Sequence, residues 1–442
     1  MEKIISTPCG DIKGIIDNNV ISYKGIRYAN ASRFEYPKMV TNWDGIYDAT
    51  SYQHCSYQPR AFYNEEENLK KVFYYREFRK GETYTYSEDC LFLNVFTPLE
   101  AQKLPVLIYI HGGGFVGGCG HEKHFDSPIW PQKGVIGVTI NYRLGPLGFA
   151  CFKELETKAN YGLYDQYTAI KWVKENIEAF GGDPDNITIM GQSAGAMSVQ
   201  QHCLSPMSKG LFNKAVMSSG GGVSKMMSTS PIEKNYEFWN AVMKNAGCKT
   251  IDELKVVDVE TYFNAWQQTK KEMKGFYMPS PVIDNQYVIG TGTNLLKENK
   301  QHQIHYMCGS TSEDMMPPII FNMSKKWCES QQKDSYTWYF DRQLPGDTNG
   351  AWHSSDLWYW FGTLNNCWRP FTQKDYELSN QMTDYLCNFV KTGNPNGNNL
   401  PEWKSSKQQK QVLVLGEKPT QMNKPSSLKQ YITMFTKKNV GE

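Results

Sequence analysis

NITIMGQSAGAMSVQQHCL, residues 186–204, constrains the fold of this chain more than any other stretch. An apolar run ends at Gly191, a helix-forming run begins at Ala194, and Ser193 stands at the join. A strand that turns this sharply into a helix forces the residue at the turn into strained backbone space. Only small neighbours relieve the clash, which accounts for Gly191 and Gly195. The serine hydroxyl is thereby lifted above the sheet, with the positive end of the next helix beneath it.

The same alternation runs along much of the chain. LPVLIYI (104–110), VIGVTINY (135–142), KAVMSSG (214–220) and IHYMCGS (304–310) join NITIMGQ as buried strands of a mostly parallel sheet. In YDQYTAIKWVKENIEAF, Tyr164, Tyr167, Ala169, Ile170, Trp172, Val173, Ile177 and Phe180 form an apolar stripe at helical spacing, and Gly181–Gly182 stops it. Strand, helix and strand in turn mean an α/β fold with right-handed crossovers. Mostly helical stretches at about 230–280 and 315–400 interrupt the rhythm, and insertions of this kind are where pockets are built. No repeat or linker divides the chain, so residues 1–442 read as a single domain.

Charge narrows the partners. Lys and Arg number 47 and Asp and Glu 45, a net of +2 with no long run of one sign, which argues against nucleic acid or an anionic membrane. No stretch approaches the ~20 apolar residues of a membrane span. The opening MEKIISTPCGDIKG lacks the apolar segment of a signal peptide, so a soluble, cytoplasmic protein is expected. Eleven cysteines without a CxxC pair read as mostly buried thiols. The sequons at Asn30, Asn186 and Asn322 read as chance matches.

A serine hydroxyl is a poor nucleophile near neutral pH and needs a base, normally histidine. The strand–serine–helix turn resembles that of the α/β-hydrolases, a resemblance that implies the order serine, acid, histidine along the chain and leaves His202, His302, His305 and His353. His202 shares the helix of Ser193, and His302 and His305 lie just before or within a strand. His353, in NGAWHSSDLWYW, follows a polar turn and is the expected base. The acid should leave the sheet from the strand before it, where STSEDMMPP offers Glu313 and Asp314; either can orient the imidazole and stabilise its charged form. HGGGF (111–115), directly after LPVLIYI, can aim backbone N–H groups at a developing oxyanion. GGCGHEKHF brings Cys119, His121 and His124 together in sequence, but no fourth ligand is evident, so no metal is assigned.

GIRYANASRF, SEDCLFLNVFTP, NYRLGPLGF, NYGLYDQYTAIKWVKENIEAFGGDP, GQSAG and GNPNGNNLPEW occur in that order along nearly the whole chain. Together they resemble the motifs of the type-B carboxylesterases, the group of the cholinesterases and bacterial para-nitrobenzyl esterases. The resemblance implies the α/β-hydrolase fold, a central mostly parallel sheet flanked by helices, with helical insertions forming a gorge or cap. It also implies a serine carboxylesterase that forms an acyl-enzyme on small-molecule esters and uses no cofactor.

Residue by residue, Ser193 matches the family's nucleophile and His353 its base. The acid register falls on Glu313-Asp314-Met315, making Asp314 the acid by position, while Gly113, Gly114 and Ala194 match the oxyanion donors. Arg33 with Glu88 and Arg143 with Asp165 match structural ion pairs. Gln192 stands where the family usually has glutamate, which counts against choline esters. Cys55 and Cys90 match the first disulfide of secreted members, which a cytoplasmic setting would keep as thiols. The aromatic stretches TWYFDRQ and SDLWYWFGTLNNCW suggest an apolar gorge for acyl or aryl groups, with ordinary core as the alternative for most of their residues. An acyltransferase, or an amide or carbamate hydrolase, could use the same triad. A non-catalytic binding module of this fold would be expected to have lost a triad member.

Overall fold

The structure, a computed structural model, describes residues 1–69, 71–156, 158–224, 228–273 and 279–436. Four strands, β1 (Glu2–Thr7), β2 (Gly10–Asp17), β3 (Val20–Arg27) and β4 (Phe92–Pro98), pair antiparallel in that order. The β2–β3 link is two residues, Asn18 and Asn19, both at positive φ, the turn whose twist matches that of paired strands.

Next come β5 (Leu104–Ile110), β6 (Ile136–Ile140), β7 (Gly182–Gln192), β8 (Lys214–Ser218), β9 (His305–Thr311), β10 (Tyr336–Phe340) and β11 (Val412–Leu415), all mutually parallel. Antiparallel β12 (Gln421–Asn423) closes the far edge. The spatial order is β1-β2-β3-β4-β6-β5-β7-β8-β9-β10-β11-β12, with Ile46–Asp48 beside β2.

The parallel strands are buried on both faces, which is why they read as continuous apolar runs. On β5 the pleat sends Val106, Ile108 and Ile110 to one side and Leu107 and Tyr109 to the other. The first side is covered by α1 (Tyr161–Asn176), through Ile170, Trp172 and Val173. A 3₁₀ turn, Ile177–Phe180, follows it, and Gly181 at φ +82° ends the helical run where the glycine pair was expected to. From β7 the chain enters α2 (Ala194–Leu204).

Of the two mostly helical stretches, the first holds α3 (Tyr236–Asn245), α4 (Ile251–Val256) and α5 (Val259–Glu272), packed around Trp239, Tyr262, Phe263 and Trp266; residues 274–278 lie outside the described residues. The second holds α6 (Pro317–Glu329), α7 (Leu357–Phe361) and α8 (Gln373–Thr392), and also β10 of the main sheet. A Thr372–Asp375 capping box starts α8.

The gorge expected from TWYFDRQ and SDLWYWFGTLNNCW is not built from those aromatics. Trp338 and Phe340 of β10, and Trp358, Tyr359, Trp360 and Phe361 of α7, are fully buried in the second core. Here α7 seals one face of the sheet, and its rings pack on strand side chains instead of lining a cavity: Trp338 meets Trp360 edge-on at 5.2 Å. Among the described residues no helix is long and apolar enough to cross a membrane.

Candidate active site

Ser193 occupies the junction of β7 and α2 at φ +57°, ψ −124°, a conformation that costs a non-glycine residue on the order of 1–3 kcal/mol. The surroundings hold it there. Its N–H donates to Ser218 O at 2.9 Å, and its carbonyl accepts from Met197 N at 3.0 Å. A Cβ at Gly191 would lie 2.3 Å from the Gly195 backbone, and one at Gly195 would lie 2.1 Å from Ile110 O. Both glycines are therefore dictated by backbone meeting backbone.

The glycine loop runs against this turn. A Cβ at Gly112 would sit 2.6 Å from Gln192 O and 3.1 Å from Ser193 Cβ. Gly113 and Gly114 both have positive φ, +111° and +64°. Gly113 O then accepts from Val116 N and Gly117 N, each at 3.1 Å, which curls the loop back on itself.

His353 comes from the loop between β10 and α7, and Asp314 from the end of β9. His353 Nδ1 and Asp314 Oδ1 are 2.6 Å apart, with the carboxylate wholly buried. Thr311 Oγ1 and Met315 N also donate to that carboxylate. Burial alone would raise the Asp314 pKa, but the His353 ring, with smaller help from the Ser219 side chain and Met315 N–H, outweighs it and holds the carboxyl below its ordinary range. His353 Nε2 lies 3.1 Å from Gln192 Nε2, so the imidazole reaches the residue adjoining Ser193. With Nδ1 protonated toward the carboxylate, Nε2 is the acceptor of that amide.

Glu313 takes a different part. Its carboxylate accepts from Ala351 N at 2.8 Å, and its N–H donates to Ala351 O, which ties the strand end to the loop of His353. The remaining histidines have other partners: His202 Nε2 meets Gln166 Oε1 and Nδ1 meets Tyr287 Oη, His302 meets Ser205 O, and His305 meets Asp334 O.

Arg143 and Asp165 form a buried two-bond pair at 2.8 and 2.7 Å. Arg33 pairs with Glu88 and also donates to the Leu254 and Val257 carbonyls at the end of α4. Cys55 and Cys90 are both free thiols. Two residues that the sequence did not point to, Gln58 and Asn141, tie down the loop beyond Phe115: Gly118 N donates to Gln58 Oε1 at 2.9 Å, and Gly120 N to Asn141 Oδ1 at 2.7 Å.

The parallel sheet and the strand–serine–helix turn define an α/β-hydrolase. The model of the carboxylesterase family matches residues 1–343 and 320–433. The chain is 30% identical to the para-nitrobenzyl esterase of Bacillus subtilis (strain 168), over 97% of this chain and 98% of that one. It is 26% identical to the acylcarnitine hydrolase of Mus musculus, over 94% and 88%. Among solved structures, a thermophilic PNB esterase superposes with a TM-score of 0.86 at 28% identity, covering 98% of this chain and 100% of that one. This chain belongs to the carboxylesterase family and is a hydrolase of carboxylic ester bonds.

Proposed function

We propose that the esterase reaction runs through an acyl-enzyme on Ser193, with His353 as base and Asp314 as the acid that orients it. The observation carrying this reading is the buried 2.6 Å contact between His353 Nδ1 and Asp314, with Nε2 turned to the Ser193 turn. Asp314 fixes the tautomer that leaves Nε2 bare of a proton. When substrate enters, the Gln192 amide yields Nε2 to the Ser193 hydroxyl, which loses its proton as Oγ attacks the ester carbonyl. The N–H groups of Gly113, Gly114 and Ala194 receive the oxyanion. The alcohol departs with the proton from His353, and water repeats the cycle on the acyl-enzyme.

The substrate we infer is a small ester with an apolar acyl or aryl group. Support comes from Phe73 and Tyr74, half-buried and edge-on to Trp352, next to His353. With a net charge near zero, neither nucleic acid nor a membrane surface is its partner. Its setting in this reading is the reducing cytoplasm, which keeps thiols such as Cys55 and Cys90 unpaired. A series of para-nitrophenyl esters of increasing acyl length tests the substrate class. Turnover of the short and medium neutral esters with no activity on choline esters is expected; preference for a cationic alcohol would overturn it.

A further inference from the structure

Beside the glycine loop, three metal-ligating side chains converge that no step above uses. Cys55 stands on the short strand Cys55–Ser56, paired in parallel with Tyr86–Ser87. Cys119 and His121 stand on the loop that continues from the glycine loop. Cys55 Sγ is 3.5 Å from His121 Nε2, and all three ligand atoms lie within 4.8 Å of one another. Tetrahedral zinc, with bonds of ~2.3 Å to sulfur and ~2.0–2.1 Å to imidazole nitrogen, keeps such an S and N about 3.5 Å apart. His124, closer in sequence, is turned away among Phe78, Phe125 and Trp358.

Buried amides hold the two ligand-bearing segments in register. Asn141 accepts from Gly120 N at 2.7 Å and donates to His54 O at 3.1 Å. Gln58 accepts from Gly118 N and donates to Ser56 O and Gly118 O. Gly120 itself passes so close to β6 that a Cβ there would meet Ile140 O at 2.8 Å. The donors are thus set by hydrogen bonds flanking each ligand, without needing an ion to gather them.

The cluster borders solvent on its His121 side. His121, stacked on Tyr52 at 4.7 Å, lines a surface cleft of about 340 Å³ with Tyr84, Lys123 and Asp126. The Tyr84 hydroxyl is buried with no hydrogen-bond partner among the described residues, and its ring lies 5.7 Å from that of His121. A metal-bound water in the cleft would give it one.

We propose that Cys55, Cys119 and His121 bind one Zn²⁺ ion, with water as the fourth ligand, at the exit of the glycine loop. Two thiolates and a neutral imidazole suit a thiophilic, tetrahedral divalent ion. As the two Zn–S bonds form, the thiol protons leave to solvent, and the centre is electrically neutral in its buried setting. The bound ion clamps the loop bearing Gly113 and Gly114 to the strand of Cys55.

The test titrates the full chain, reduced and freed of metal by a chelator, with Co²⁺ as a spectroscopic probe and with Zn²⁺. About one ion per chain, a thiolate-to-cobalt charge-transfer band, and a Tm raised by Zn²⁺ are expected. Cys55→Ser, Cys119→Ser and His121→Asn should each lose the band, while Cys9→Ser keeps it; far-UV circular dichroism checks that each variant is folded. Failure of the unaltered chain to bind cobalt, or a band that persists in Cys119→Ser, overturns the proposal. So does a Cys55–Cys119 disulfide that survives thiol reductant.

Discussion

Asp314 and Glu313 are neighbours in sequence with opposite tasks. Just past the end of β9, Glu313 bridges to the loop of His353 and braces Ala351, while the next residue, Asp314, turns to meet His353. Sequence alone left the two interchangeable, because the choice depends on how β9 ends against the loop of residues 350–352. Asp314→Asn is expected to lower kcat by roughly 10⁴-fold, through loss of the correct imidazole tautomer, with the fold retained. Because the Asp314 carboxyl is held below its ordinary range, it stays ionised to lower pH than a free aspartate. The acid limb of kcat/KM should therefore count one proton; a limb steeper than one proton would contradict this. Its contribution to stability carries the matching sign, present above the unfolded value of ~3.9 and lost as pH falls through the lower folded one.

At the scale of elements, β5 to β9 and α1 were legible because burial on both faces leaves unbroken apolar runs, and helical spacing shows through; β10, inside a stretch expected to be mostly helical, and β11 went unread. So did β1, β2 and β3. β1 and β2 mix the pairs Ile4-Ile5 and Ile15-Ile16 with polar residues on a partly exposed wing, without a clean alternation, and the Asn18-Asn19 turn carries no glycine to mark it. TWYF and LWYWF misled because aromatic density looks the same in a core as in a gorge; their partners across the sheet decide. The glycines of the serine turn were read correctly, since steric need shows directly in residue type. Gly195→Ala should be severely destabilising, its Cβ driven into Ile110 O. A thermal melt checks it, and a Tm within a few degrees of the parent would show that the turn tolerates a side chain.

Across the whole molecule, the site is assembled from the ends of β5, β7 and β9 and the loop before α7, segments that only the sheet order brings together. Buried polar anchors span the same distances. Arg143, after β6, pairs with Asp165 on α1 and donates to Ser32 O, joining three segments far apart in sequence. Arg143→Ala leaves Asp165 buried without its cation, at a cost of about 3–5 kcal/mol, visible as a lowered denaturation midpoint. Gln58 and Asn141 do similar work unseen in the sequence, because a lone amide carries no motif.

The central claim is that Ser193 is the residue acylated. Mass spectrometry of the chain after reaction with an organophosphate reads this out directly. The account predicts one adduct, on the peptide holding Ser193, and no adduct or turnover in Ser193→Ala. An adduct on another residue, or esterase activity surviving in Ser193→Ala, would contradict it.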